Sequence, residues 1–334
     1  MPPRVVVTGA SGHVGANLVR GLLNRGTAVR ALVHRDTRSV AELDVELARG
    51  DLRDLDSLVG AFAGADLVYH TAAQISIASR GWTQLEAINV AGTRNVVEAC
   101  LRRGVSRLVH FSSVEALVLD PLDRPVDESR PLVDGRRALP YPRSKAASER
   151  TVLAGVERGL DAVILSPSAI LGPYDYRLGL ANAGLLALAS GRLWSLVNGG
   201  FDWVDVRDVV SGAIAAGEHG RPAERYILSG HWASLRHLAA LISEAAGVPA
   251  PRLVFPMAAA RMAAPFVEAL GRLRGVQPLF TRGALNPLGG NREISHARAA
   301  RELNYATRPL KETVVDTVSW FRSQDLLNRE WTEE

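Results

Sequence analysis

Short apolar runs alternate with amphipathic stretches through the first half of this chain. Residues 4–8, 28–33, 45–48, 67–70, 107–112 and 162–165 are short, mainly apolar runs, which predicts strands buried on both faces. Between them, residues 14–24, 55–62, 85–102 and 141–157 carry the three-to-four spacing of helices. Buried strands alternating with helices predict an α/β fold, a Rossmann-type doubly wound parallel sheet closed by right-handed crossovers. Residues 120–139, rich in Pro, Asp and Arg, read as a surface loop that leads into the helix at Tyr141.

After Gly172-Pro173 the rhythm changes. Helical patterns cover 178–190, 206–217, 235–246, 258–273 and 311–327, with single strands near 201–204 and 225–228. This predicts a first unit over 1–172, to which 201–230 returns. A smaller, mainly helical C-terminal lobe takes 173–200 and 231–334, as suits a chain of 334 residues.

Composition narrows the class. Hydrophobic residues make up 47% and charged residues 22%, as in an ordinary globular protein. The net charge is only +4, and the 39 cations, of which Lys145 and Lys311 alone are lysines, are scattered among 35 acids, which argues against a nucleic-acid partner. No signal peptide and no uncharged apolar run of membrane-spanning length is visible, so no membrane partner and a cytoplasmic location are expected. The single cysteine, Cys100, leaves no internal disulfide and no thiolate zinc set, and no other residues have metal-ligand spacing; no metal is expected.

Directly after the first strand, Gly9, Ser11, Gly12, His13, Val14 and Gly15 form a G-x-x-G-x-x-G loop ahead of the first helix. Such a loop lets backbone amides approach a pyrophosphate at a helix N-terminus. The second strand ends in His34-Arg35 with no carboxylate at its tip. A guanidinium beside the ribose suits a 2′-phosphate, so NADP(H) is favoured, with NAD(H) possible through Asp36.

A second constellation carries the chemistry. Tyr141 and Lys145 stand four apart at a helix start; with two lysines in the chain, such a pair arises by chance about 0.04 times. A phenol is a poor base at neutral pH, and a neighbouring ammonium favours its ionised form. Ser113, at the end of the fifth strand, is the expected second holder of a substrate oxygen; Ser112 should face the other way.

Together these residues resemble the extended short-chain dehydrogenase/reductases, the epimerase/dehydratase superfamily. Further matching segments are Gly50-Asp51-Leu52, His70 to Ala73, Asn89 to Thr93, and Pro167 to Pro173. The resemblance implies that Asp51 and Leu52 contact adenine, that Ala72 and Ala73 line the cofactor cleft, and that Pro167, Ser168 and Ile170 flank the nicotinamide. It also implies that Lys145 binds the nicotinamide ribose and that Asn89 supports the active site. The sugar-nucleotide dehydratases of this superfamily place Asp-Glu after the catalytic Ser/Thr, whereas Val114-Glu115 stands here. Residues 29–35 and 167–173 look more like the dihydroflavonol-reductase-like, hydroxysteroid-dehydrogenase-like and hopanoid-associated sugar-epimerase-like branches.

The leading expectation is an NADP(H)-dependent carbonyl reductase, or alcohol dehydrogenase in reverse, acting on a small molecule as a homodimer. A nucleotide-sugar epimerase with tightly held NAD is the alternative, and a non-catalytic NADP-binding sensor a third reading. Cys100, His13 and His110 are expected to be structural, Arg207 to form a helix-start salt bridge, and Trp194, Trp203 and Trp232 to pack the second lobe or line a pocket.

Overall fold

A computed structural model describes residues 4–75, 81–135, 138–274, 285 and 288–328. Seven strands form one parallel sheet: β1 Val5–Thr8, β2 Val29–Val33, β3 Glu46–Arg49, β4 Leu67–His70, β5 Arg107–Phe111, β6 Ala162–Pro167 and β10 Arg225–Leu228. Their order is β10-β6-β5-β4-β1-β2-β3, so the chain reverses direction across the sheet between β1 and β4. A crevice at the carboxyl ends of the strands is the consequence of that switch.

Helices cover both faces. On one side α1 (His13–Asn24) and α7 (Val206–His219) bury Leu18, Leu22, Val209 and Ile214 against the sheet. On the other, α2 (Leu55–Ala61), α4 (Gly92–Arg103) and α5 (Pro140–Glu157) bury Leu58, Val96, Cys100 and Val152. Strands coated on both sides explain the continuous apolar runs, whereas the edge strand β3, expected to be buried as well, is largely exposed.

The helix expected at 85–102 is broken in register. A short α3 (Trp82–Leu85) passes through a π turn at Glu86–Ala91 before α4 begins. One extra residue per turn leaves no trace in hydrophobic periodicity, yet it rotates Asn89 inward, where it is buried.

Segment 201–230 divides. β10 pairs with β6 in the main sheet, but β9 (Gly200–Asp205) lies in a small sheet between β7 (Ala169–Leu171) and β11 (His231–Ser234). β7 follows β6 after a single residue and offers β9 the nearest unpaired edge. The second lobe adds β8 (Ser195–Val197), paired with β12 (Leu253–Phe255), and the helices α6 (Leu180–Ala189), α8 (Leu235–Ala246), α9 (Met257–Arg274), α10 (Ala297–Leu303) and α11 (Leu310–Ser323). Its core gathers Leu185, Trp203, Ile242, Val314 and Phe321. No helix among the described residues is long and apolar enough to cross a membrane.

Candidate active site

The chemistry-bearing side chains meet where β5 and β6 end. β5 runs into Ser112 and Ser113. Ser112 is buried and donates to Glu149 Oε2 at 2.8 Å. Ser113 caps a short turn, Val114–Ala116; its Oγ accepts the Glu115 N–H at 3.2 Å, and its side chain is near enough to the Tyr141 hydroxyl to act on its ionisation.

Pro140, at the first helical position, opens α5, where a missing N–H costs nothing. Tyr141, Lys145 and Glu149 then follow at one-turn intervals on one side of the helix. Lys145 is buried, and its Nζ donates to the Phe111 carbonyl at 2.7 Å. Asn89 fastens this helix to the end of β4: its Nδ2 donates to Ser144 Oγ and to the Gln74 carbonyl, both at 2.9 Å, and its Oδ1 accepts the Gln74 N–H at 2.8 Å.

The electrostatics differ from the expectation in one respect. The Tyr141 phenol is pushed above its ordinary range, by burial first and by the charge of Glu115 next, while the Ser113 side chain pulls the other way. Lys145, bonded to a carbonyl, does not reverse this. Burial draws Lys145 down to about 8 against the opposing influence of Glu149. Burial also holds His70, 5.3 Å from His110 between ring centres, neutral with a value of about 3, and pushes Glu115 up to about 7. At neutral pH the site therefore presents a protonated phenol beside a protonated amine.

The glycine loop sits at the β1–β4 switch point. Gly9 has φ 68°, and a Cβ there would lie 2.6 Å from Ala72 Cα. A Cβ on Gly15 would lie 2.2 Å from the Gly9 carbonyl oxygen. Only glycine allows both the left-handed turn and the close approach of helix to strand. Whereas α2, α7 and α8 are capped by Asp54, Asp205 and Ser234, α1 begins at Gly12 with no side-chain cap and no acid in its first turn. Its open N–H groups and positive dipole end fit a pyrophosphate. The residues present therefore fit a dinucleotide.

Around that loop the other expected residues are placed as follows. Ala72 follows β4 beside Gly9 and is half-buried, whereas Ala73 is exposed. Ser11 is buried and its Oγ accepts from Arg177; His13 turns to the second lobe, with Nε2 3.2 Å from the Pro173 carbonyl; Val14 packs into the core. His34 is exposed, 3.5 Å from Asp51, and Arg35 is exposed at the β2 tip. Asp51 is engaged by Arg53, which holds its carboxyl down at about 2, and Leu52 packs under Gly92. Pro167 ends β6, Ser168 follows it, and Ile170 lies in β7. Asp36 is held by arginines: Arg38 grips it bidentately at 3.1 and 3.0 Å, and Arg177 lies 3.4 Å away.

Sequence reasoning passed over Glu149 and Arg177. Glu149 is fully buried between Ser112 and Arg225; its one-turn spacing from Lys145 was the available signal. The expected core role of Cys100 and the Arg207–Asp205 pair are observed. Trp203 is core, whereas Trp194 is exposed against Phe255 and Trp232 is covered by Arg292. No cluster of three metal-ligating side chains occurs among the described residues.

Comparison with known proteins gives consistent results. Residues 5–229 match the model of the NAD dependent epimerase/dehydratase family. The chain is 37% identical over 327 residues to sterol demethylase protein B of Methylococcus capsulatus, covering 96% of this chain and 99% of that one. It is 32% identical to the 4-hydroxy-2-methyl-3-oxo-4-farnesyl-3,4-dihydroquinoline-1-oxide ketoreductase of Stigmatella aurantiaca, covering 94% and 95%. The crystal structure of gox2253 superposes with a TM-score of 0.84 at 36% identity, covering 96% and 98%.

Proposed function

Because this chain belongs to the NAD-dependent epimerase/dehydratase family of extended short-chain dehydrogenase/reductases, we propose that it is an NADP(H)-dependent oxidoreductase that interconverts a carbonyl (aldehyde or ketone) and an alcohol. The observation that carries the reading is the Tyr141 hydroxyl, near Ser113 and kept protonated by burial, one turn before the buried Lys145 that is fixed on the Phe111 carbonyl.

Bound NADPH would supply a hydride to the carbonyl carbon. Ser113 and Tyr141 bind the carbonyl oxygen, and the Tyr141 O–H delivers the proton that completes the alcohol. The Lys145 ammonium, fixed by the Phe111 carbonyl, stabilises the phenolate left behind and serves the nicotinamide ribose. Asn89 keeps α5 in register with the end of β4. Ala72, Ala73, Pro167, Ser168 and Ile170 wall the cofactor cleft, and Asp51 and Leu52 border the adenine.

Two features support NADP(H) over NAD(H): the exposed Arg35 at the β2 tip and the engagement of Asp36 by arginines. The relative named as a ketoreductase supports reduction over epimerisation. The family resemblance supports a homodimer joined through α4 and α5. The test is NADPH consumption across aldehydes, ketones and nucleotide-sugar ketones; one NADP⁺ per alcohol is expected, whereas redox-neutral turnover with retained cofactor would transfer the assignment to an epimerase.

A further inference from the structure

Residues 172–179, between β7 and α6, cross from the second lobe to the phosphate loop and are fastened there. The Pro173 carbonyl accepts from Asn17 Nδ2 at 3.0 Å, Arg20 stacks over the Tyr174 ring at 4.5 Å, and Asp175 accepts from Gly179 N at 2.8 Å and Asn182 Nδ2 at 3.0 Å. Two non-glycine residues of this loop, Tyr174 and Leu178, are held at φ 62° and 49°. L residues occupy that region where surrounding contacts over-determine the backbone, often at ligand clamps.

The outcome is the position of Arg177. Its Nη2 donates to Ser11 Oγ at 2.9 Å, and its Nε lies 3.4 Å from Asp36 Oδ2. Ser11 belongs to the glycine loop and Asp36 lies just beyond the β2 tip, so the guanidinium bridges the two elements that flank the adenosine ribose in a doubly wound fold. Arg38 holds the same Asp36 carboxylate at 3.0 Å. Arg35, beside it in sequence, meets no carboxylate among the described residues. Arg38 and Arg177 thus converge on a single carboxylate with the exposed Arg35 beside it in sequence, an excess of positive charge in fork geometry suited to a phosphate.

We propose that Arg177 is a ligand of the dinucleotide's adenosine 2′-phosphate, supplied by the second lobe, and that Asp36 is the internal anion that holds the guanidinium until a phosphate takes it over. This rests on the NADP(H) reading above. A phosphomonoester carries more charge and more acceptor oxygens than a carboxylate, and Arg177 is half-exposed, so the exchange needs only a side-chain movement.

Calorimetry with adenosine 2′,5′-bisphosphate, 5′-AMP and 5′-ADP tests this on the intact protein. Arg177→Gln should weaken the bisphosphate about tenfold or more while leaving 5′-AMP and 5′-ADP within about twofold. Asp36→Asn, which frees the guanidinium, should tighten the bisphosphate about twofold to fivefold, a gain that a damaged fold would not give. Equal losses for bisphosphate and 5′-ADP in Arg177→Gln would assign the guanidinium to the pyrophosphate and overturn the proposal. An unchanged bisphosphate affinity would overturn it too. If wild type binds bisphosphate no better than 5′-AMP, the NADP(H) reading itself fails; if Arg35→Gln abolishes that preference and Arg177→Gln does not, the failure is confined to Arg177.

Discussion

Replacing Lys145 with Met should abolish turnover and stabilise the fold, because the ammonium that the chemistry needs sits where burial disfavours charge. The side chain is only 5% exposed, behind neutral His70 and His110. Burial lowers it from 10.5 to about 8. Holding the charged form in the folded protein at neutral pH thus costs about 3 kcal/mol. Met fills similar space, and Glu149 keeps Ser112 and Arg225 as partners. The Phe111 carbonyl loses its donor, which costs about 1 to 2 kcal/mol. The net expectation is a variant more stable by about 1 to 2 kcal/mol near neutral pH, a gain of a few degrees in Tm.

The pH dependence makes the test specific. Below about 8 both folded and unfolded chains hold the lysine proton, and the full penalty applies. Between about 8 and 10.5 the unfolded chain still binds a proton that the folded chain has released, so wild-type stability rises relative to the variant. Urea unfolding of both proteins at about pH 7 and about pH 10 should show the gap closing. A variant that is less stable at the lower pH, or a gap that does not change, would refute the reasoning.

Other substitutions probe the remaining parts. Tyr141→Phe should lower kcat for carbonyl reduction by about a thousandfold or more with NADPH affinity unchanged by calorimetry, and Ser113→Ala by about a hundredfold. The rate of reduction should fall as pH rises through about 8, where Lys145 loses its proton, and a smaller inflection near 7, from Glu115, should vanish in Glu115→Gln while the upper limb stays. Gly15→Ala places a Cβ 2.2 Å from the Gly9 carbonyl oxygen, so dinucleotide binding should drop at least about a hundredfold, together with a lower Tm.

Most of the sheet was readable because its inner strands are buried on both faces, and consecutive apolar residues such as Val5-Val6-Val7 say so directly, although the edge strand β3 is largely exposed. The second lobe hid its strands. β11 reads His-Trp-Ala-Ser and β12 exposes all three of its residues, so neither carries a run or an alternation long enough to register. The Tyr141/Lys145 pair was legible from spacing and from the rarity of lysine. The inward turn of Asn89 was not, since a π turn is a backbone event. Nor was Arg177: residues 173–178 look like a linker, and only the folded loop brings that guanidinium to Ser11. The sign of the Tyr141 shift also escaped the sequence, because it depends on burial and on the charge of Glu115.

The central claim is that hydride leaves a bound nicotinamide for a carbonyl whose oxygen takes its proton from Tyr141. Turnover of a carbonyl substrate with NADPH deuterated at both C4 positions measures this directly. The account predicts an alcohol bearing one deuterium at the former carbonyl carbon with one NADP⁺ released. Product formed without deuterium or without loss of NADPH, or label transferred at an undiminished rate by Tyr141→Phe, would contradict it.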